Sequence, residues 1–162
     1  MEVKTLNKNF YLKFLLVLII FLIDRISKIY VIHKDKLDFN SEIYSSKFLN
    51  IHLIWNEGIA FGFLPFKEDY LYNSVTILII LVLFVILFEI ISNHGSKKYM
   101  FLIIFGGAIG NLFDRLVYKA VPDFLDFHVG NFHWFIFNIA DVFITFGIIS
   151  LLYYELFCNK KV

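Results

Sequence analysis

The sequence predicts an all-α membrane protein: four transmembrane helices carrying a small β platform on the extracytoplasmic side. Three observations support this. Hydrophobic residues make up 59% of the 162-residue chain and aromatics 20%, with 21 phenylalanines; a water-soluble domain of this length has too little interior to hide them. Four segments of about 20 mostly apolar residues, the length that crosses a bilayer, recur along the chain. Finally, Phe48–Trp55 alternates apolar and polar residues, the pattern of a half-buried strand.

The expected spans are Leu12–Ile32, Leu71–Ile91, Tyr99–Val117 and Trp134–Phe157, within one domain covering residues 1–162. The first begins like a secretory signal, with Lys4, Lys8 and Lys13 ahead of the apolar run Phe14–Ile23. No small-residue cleavage site follows, so it is expected to be retained as an anchor. Lysines set the orientation. Lys4, Lys8 and Lys13 precede span one, Lys97 and Lys98 lie between spans two and three, and Lys160 and Lys161 end the chain. With four spans these places fall on one side, which is the cytoplasm. Both termini are then expected on the cytoplasmic side.

The outer segments, His33–Tyr70 and about Tyr118–His133, are expected to hold the β platform. Leu49, Ile51, Leu53 and Trp55 share one face, and Asn56-Glu57-Gly58 reads as a turn. Val117–Val129 is also strand-like, although Pro122 has no N–H and confines it to an edge or an irregular path. Extended chain would point Asp123 and Asp126 to opposite faces. His128 and His133 lie nearby, but the spacing matches no standard ligand pattern, so no metal and no cofactor are expected.

Ionisable residues within spans are costly and call for an explanation. Asp24 and Lys28 are four apart on span one and can pair, which makes a neutral structural pair the plain reading. On span three, Gly106 and Gly110 form a GxxxG that admits a neighbouring helix backbone. Asn111, Asp114 and Arg115 then follow at i, i+3 and i+4 as one polar face. On span four, Asn138 and Asp141 are three apart. Asp141 as a mere helix cap would lie unusually deep, because the apolar residues Trp134–Phe137 precede it, so a functional role is favoured. The net charge of +1 leaves no footprint for nucleic acid. The single Cys158 can form no internal disulfide and is expected to be an inert thiol.

Five motifs now stand in order: Asp24-x-x-x-Lys28; Asn56-Glu57-Gly58-Ile59-Ala60-Phe61; Gly106 through Arg115; Val121-Pro122-Asp123-Phe124; and Phe137-Asn138-Ile139-Ala140-Asp141. Together they resemble the bacterial lipoprotein signal peptidase family (signal peptidase II, peptidase family A8) over nearly the whole chain. Pro122 departs from the aliphatic residue usual there. The resemblance implies an aspartic endopeptidase that cleaves diacylglyceryl-modified prolipoproteins just before the lipidated cysteine. It maps the catalytic pair to Asp123 and Asp141. Asn111, Arg115 and Asn138 map to residues lining the site, and Asp24, Lys28, Asn56, Gly58 and Asp114 to supporting positions. The implied partners are the prolipoprotein and membrane lipid, with the chain itself expected as a monomer. Acyl chains are expected to enter laterally between helices, and the Asn56–Phe61 loop to pack over the site.

Two close carboxylates suit peptide hydrolysis, because like charges resist ionising together and the pair shares a proton. No Gly-x-Ser-x-Gly elbow and no His-Glu-x-x-His helix compete with that reading. A proton or cation relay is the rival, but it calls for polar groups through the full membrane depth. The inner halves of these spans are almost wholly apolar.

Overall fold

The computed structural model describes residues 8–38, 42–58 and 69–158. Its order is α1 (Lys8–Asp38), β1 (Tyr44–Ser45), β2 (Leu49–Asn56), α2 (Asp69–Ser92), α3 (Gly95–Tyr118), β3 (Val121–Val129), β4 (Phe132–Phe137) and α4 (Ile139–Tyr153), which continues as a π-helical turn to Cys158. Three helices among the described residues are long and apolar enough to cross a membrane: Tyr70–Ser92, Gly95–Tyr118 and Ile139–Cys158. α1 has 31 residues, about 46 Å of helix. It is longer than the others but carries Asp24, Arg25 and Lys28 near its middle.

One boundary differs from expectation. Trp134–Phe137 is strand β4, not the start of the fourth helix, which begins only at Ile139. A short apolar run has no period that separates strand from helix. The shift also changes Asp141. It does not lie deep in a helix but occupies the third position of α4, where it closes a capping box with Asn138.

Small residues let the helices meet closely. A Cβ on Gly106 would press on Ile20, and one on Gly110 would lie 2.6 Å from Asp24 Oδ2, so the GxxxG face receives α1. Gly107 faces the other way, and a Cβ there would come within 2.6 Å of the Ala140 carbonyl oxygen on α4. α3 is therefore the central helix, held against α1 on one side and α4 on the other. It ends at Lys119, whose φ of 55° turns the chain left-handed straight into β3.

The sheet is antiparallel with order β1-β2-β3-β4. β2 matches the expected strand to within a residue. β3 pairs with β2 from Val121 to Phe127, interrupted by a register shift, and with β4 from Leu125 onward. Pro122 lies before the first β4 pair, so only its β2 side faces another strand. An interior strand thus tolerates proline at a place that is locally an edge.

Candidate active site

Asp123 and Asp141 arrive from different elements. Asp123 stands early on β3, and Asp141 on the first turn of α4. The β3–β4 ribbon between them folds back on itself, so residues 18 apart in sequence reach one site. Asp123 is only 2% exposed. Each of its oxygens receives one amide: Asn56 Nδ2 donates to Oδ2 at 2.8 Å, and Asn138 Nδ2 donates to Oδ1 at 2.6 Å. Burial raises the Asp123 carboxyl to about 7, and the neighbouring charge of Asp141 pushes in the same direction. The two amides oppose that shift without cancelling it.

Asp141 is held from two sides. Asn111 Nδ2 donates to its Oδ1 at 2.8 Å, and the Asn138 backbone N–H donates to its Oδ2 at 3.3 Å. Asn138 returns the contact, its Oδ1 accepting from the Asp141 backbone N–H at 3.1 Å. One asparagine therefore touches both carboxylate residues, through its Nδ2 on one and its Oδ1 on the other.

Behind this pair lies a buried ionic cluster. Lys28 Nζ contacts Asp24 Oδ1 at 2.9 Å and Asp114 Oδ2 at 2.6 Å, and donates to Asn111 Oδ1 at 2.8 Å. Because Asn111 Oδ1 is occupied by Lys28, its Nδ2 is left facing Asp141. Asp24 Oδ1 also accepts the Ala140 N–H at 3.1 Å, satisfying a free donor at the start of α4. Arg25 bridges Asp24 and Asp114, with its guanidinium 4.9 Å from the Phe113 ring centroid. Two cations and two anions leave the cluster neutral.

The expected polar face of α3 divides three ways. Asn111 turns to Asp141, Asp114 to Arg25 and Lys28, and Arg115 donates to the Gly58 carbonyl. Gly58 N–H in turn donates to Asn56 Oδ1 at 2.9 Å, which orients the Asn56 Nδ2 toward Asp123. All ten residues named from the sequence thus belong to one connected network. Residues 59–61 of the expected covering loop lie outside the described residues.

Sequence reasoning missed two features. Arg25 is a full member of the ionic cluster, and its position beside Asp24 was the available signal. A cavity of about 470 Å³ runs from the carboxylates between α2 and α4, lined by Leu78, Ile79, Val82, Leu83, Ile144 and Ile148 among others. Leu78, Val82 and Ile148 are also exposed on the bundle surface, so this slot opens sideways. Lateral entry was expected, but uniform apolar runs gave no sign of which helices form the opening.

A model of the family described as signal peptidase (SPase) II matches residues 16–157. The chain belongs to the signal peptidase II family. It is 47% identical over 154 residues to the lipoprotein signal peptidase of Pelagibacter ubique (strain HTCC1062), covering 95% of this chain and 93% of that one. It is 36% identical to the lipoprotein signal peptidase of Anaplasma marginale (strain Florida), over 90% of this chain and 84% of that protein. Two solved structures, each described as a bacterial membrane enzyme determined by the in meso method, share the fold. They superpose with TM-scores of 0.72 and 0.74, at 29% and 26% identity, over 92% and 91% of this chain and 91% and 94% of theirs. Membership of the signal peptidase II family makes the chain a membrane protease.

Proposed function

We propose that this signal peptidase II is an aspartic endopeptidase that cuts diacylglyceryl-modified prolipoproteins just before the lipidated cysteine. The observation that carries the reading is the convergence of Asp123 and Asp141 at the polar end of an apolar, sideways-opening slot. The slot suits acyl chains arriving from the bilayer, and the carboxylates suit the peptide bond beside them. In this scheme one proton is shared by the pair. The ionised member takes a proton from a water, and the protonated member supplies one to the scissile group as the tetrahedral intermediate forms. The pair titrates as a unit, so acid and base are not assigned to separate residues.

Asn138 holds both carboxylates in register, while Asn56 and Asn111 each hold one. Arg115 Nη1 is buried without a hydrogen-bond partner among the described residues, and it lines the slot. It is suited to receive a substrate carbonyl. Asp24, Lys28 and Asp114 act as positioning residues behind this layer.

Topology follows the same reading. α1 is counted as a fourth span because Asp24, Arg25 and Lys28 are balanced inside the bundle by Asp114 of α3, while Ile19, Ile26 and Ile29 face outward. The lysine-rich places at Lys13, Lys97 and Lys98 are cytoplasmic, so the sheet and carboxylates lie at the extracytoplasmic face. The chain acts as a single domain and a monomer, since the slot and the network are complete within one chain.

The test is cleavage of a diacylglyceryl prolipoprotein peptide by the wild type, Asp123→Asn, Asp141→Asn and Asp126→Asn. The first two variants lose activity by at least about 10³-fold, whereas Asp126→Asn retains it. Full activity in either of the first two rules out the pair.

A further inference from the structure

Beyond the carboxylate pair, the β3–β4 ribbon gathers a second cluster that the proteolytic reading does not use. Asp126 and His128 stand on β3, and His133 stands on β4 directly across from His128. One ligand atom from each of the three lies within 4.8 Å of the other two. His133 Nδ1 is 3.1 Å from Asp126 Oδ1 and 2.8 Å from Oδ2. Neighbouring ligand atoms around a tetrahedral zinc, at bond lengths near 2.0–2.1 Å, lie about 3.3 Å apart. The Asp126–His133 contact is therefore already near the spacing of two ligands on one ion. The His128 and His133 rings are roughly parallel, with centroids 5.1 Å apart.

Two further observations point to a ligand. Asp126 is 2% exposed, and among the described residues its carboxylate meets this half-exposed histidine as its one hydrogen-bonding partner. His128 Nδ1 is buried and has no hydrogen-bond partner among the described residues. An unpartnered buried polar atom is costly and calls for a reason. A hydrogen-bonded Asp126–His133 pair alone accounts for one histidine and leaves the other unexplained.

We propose that Asp126, His128 and His133 bind one divalent ion of the zinc class, which clasps β3 to β4. Two imidazoles and a carboxylate suit zinc and its neighbours, whereas calcium and magnesium prefer sets made of oxygen alone. Half-exposed His133 leaves a fourth position for water. The sequence spacing concealed the site because the ligands come from both arms of a hairpin, and a register shift between Asp126 and His128 re-aims the first of them. The clasp has a consequence for the ribbon: Asp123 lies at its start on β3, and Asn138 follows the last residue of β4.

The experiment uses the tag-free full-length chain in detergent, stripped of metal with a chelator and titrated with ZnCl2 by calorimetry. Wild type is expected to bind one equivalent and to melt at a higher temperature with zinc present, while CaCl2 has neither effect. His133→Gln, at an exposed position, and His128→Gln are each expected to weaken zinc binding by at least about tenfold. CoCl2 in place of zinc should give the visible absorption of a tetrahedral site in wild type alone. Absence of saturable zinc binding, or unchanged affinity in either histidine variant, overturns the proposal. Both histidines lie outside the proteolytic network, so this result is independent of the cleavage assay.

Discussion

Asn138 donates from its Nδ2 to Asp123 Oδ1 at 2.6 Å, the shortest amide contact that either member of the carboxylate pair receives. Its Oδ1 at the same time accepts the backbone N–H of Asp141. A side chain with one donor end and one acceptor end is needed for this, and the two ends cannot be exchanged.

Asn138→Ala is therefore expected to act twice. Loss of the cap costs about 1 kcal/mol of stability, and loss of a hydrogen bond to a carboxylate costs about 1.5–3 kcal/mol more. Asn138→Asp keeps the cap but places a third carboxylate against Asp123. Thermal melting should separate them, with Asp nearer to wild type than Ala at neutral pH. Cleavage should fall at least about a hundredfold in both.

The raised Asp123 carboxyl sets a pH limb. Its folded value of about 7 lies above its ordinary 3.8, so the folded protein holds a proton that the unfolded chain releases. The stability this contributes is fully present below about pH 4 and is lost as pH rises through about 7. Activity follows the same loss, since two anions cannot share a proton. Above about pH 7, kcat/KM should fall about tenfold per pH unit. A profile flat to pH 9 would contradict the shared-proton scheme.

Among the described residues, Lys28 is the one cation that touches Asp24, Asp114 and Asn111 together. Lys28→Met leaves the two carboxylates facing Arg25 alone. Breaking a buried pair in this way costs about 3–5 kcal/mol. The measurement is the melting temperature of the purified variant, with a marked drop expected and cleavage lost because Asn111 is freed to turn.

Filling the slot tests its role in binding. Ile79→Trp narrows the apolar lining without touching a carboxylate. Displacing two acyl methylenes, at about 0.8 kcal/mol each, raises KM for a diacylglyceryl peptide about tenfold. A proportional loss of kcat with KM unchanged would place the acyl chains elsewhere.

The helices and the β2 strand were legible from the chain because length, hydropathy and alternation report directly on bilayer thickness and pleat. The start of α4 was not, because Trp134–Phe137 is as apolar as a helix and too short to show a period. Asp24 and Lys28 announced themselves through their i, i+4 spacing, but nothing local shows that Asp114 completes the set. That partnership exists only because Gly106 and Gly110 let α1 and α3 approach. The motif resemblance named Asp123 and Asp141, and the capping box explains why the latter must stand where a helix begins. The position of the slot was invisible because it is a space between three apolar helices, and no single helix encodes it.

The neutrality of the ionic cluster has a consequence in time. Within the cluster, α1 supplies Asp24 against Arg25 and Lys28, an excess of one positive charge. The anion that removes the excess, Asp114, lies 86 residues beyond Lys28. At about 5–20 residues per second of synthesis, α1 waits roughly 4–17 s for it. On the four-span reading, the first helix is thus inserted with an unbalanced positive charge in its outward half, which is balanced only when the third helix is delivered. Maturation of this protease should accordingly be limited by the arrival of α3, and a nascent chain truncated before Asp114 should be extracted from the membrane more readily than one truncated after it.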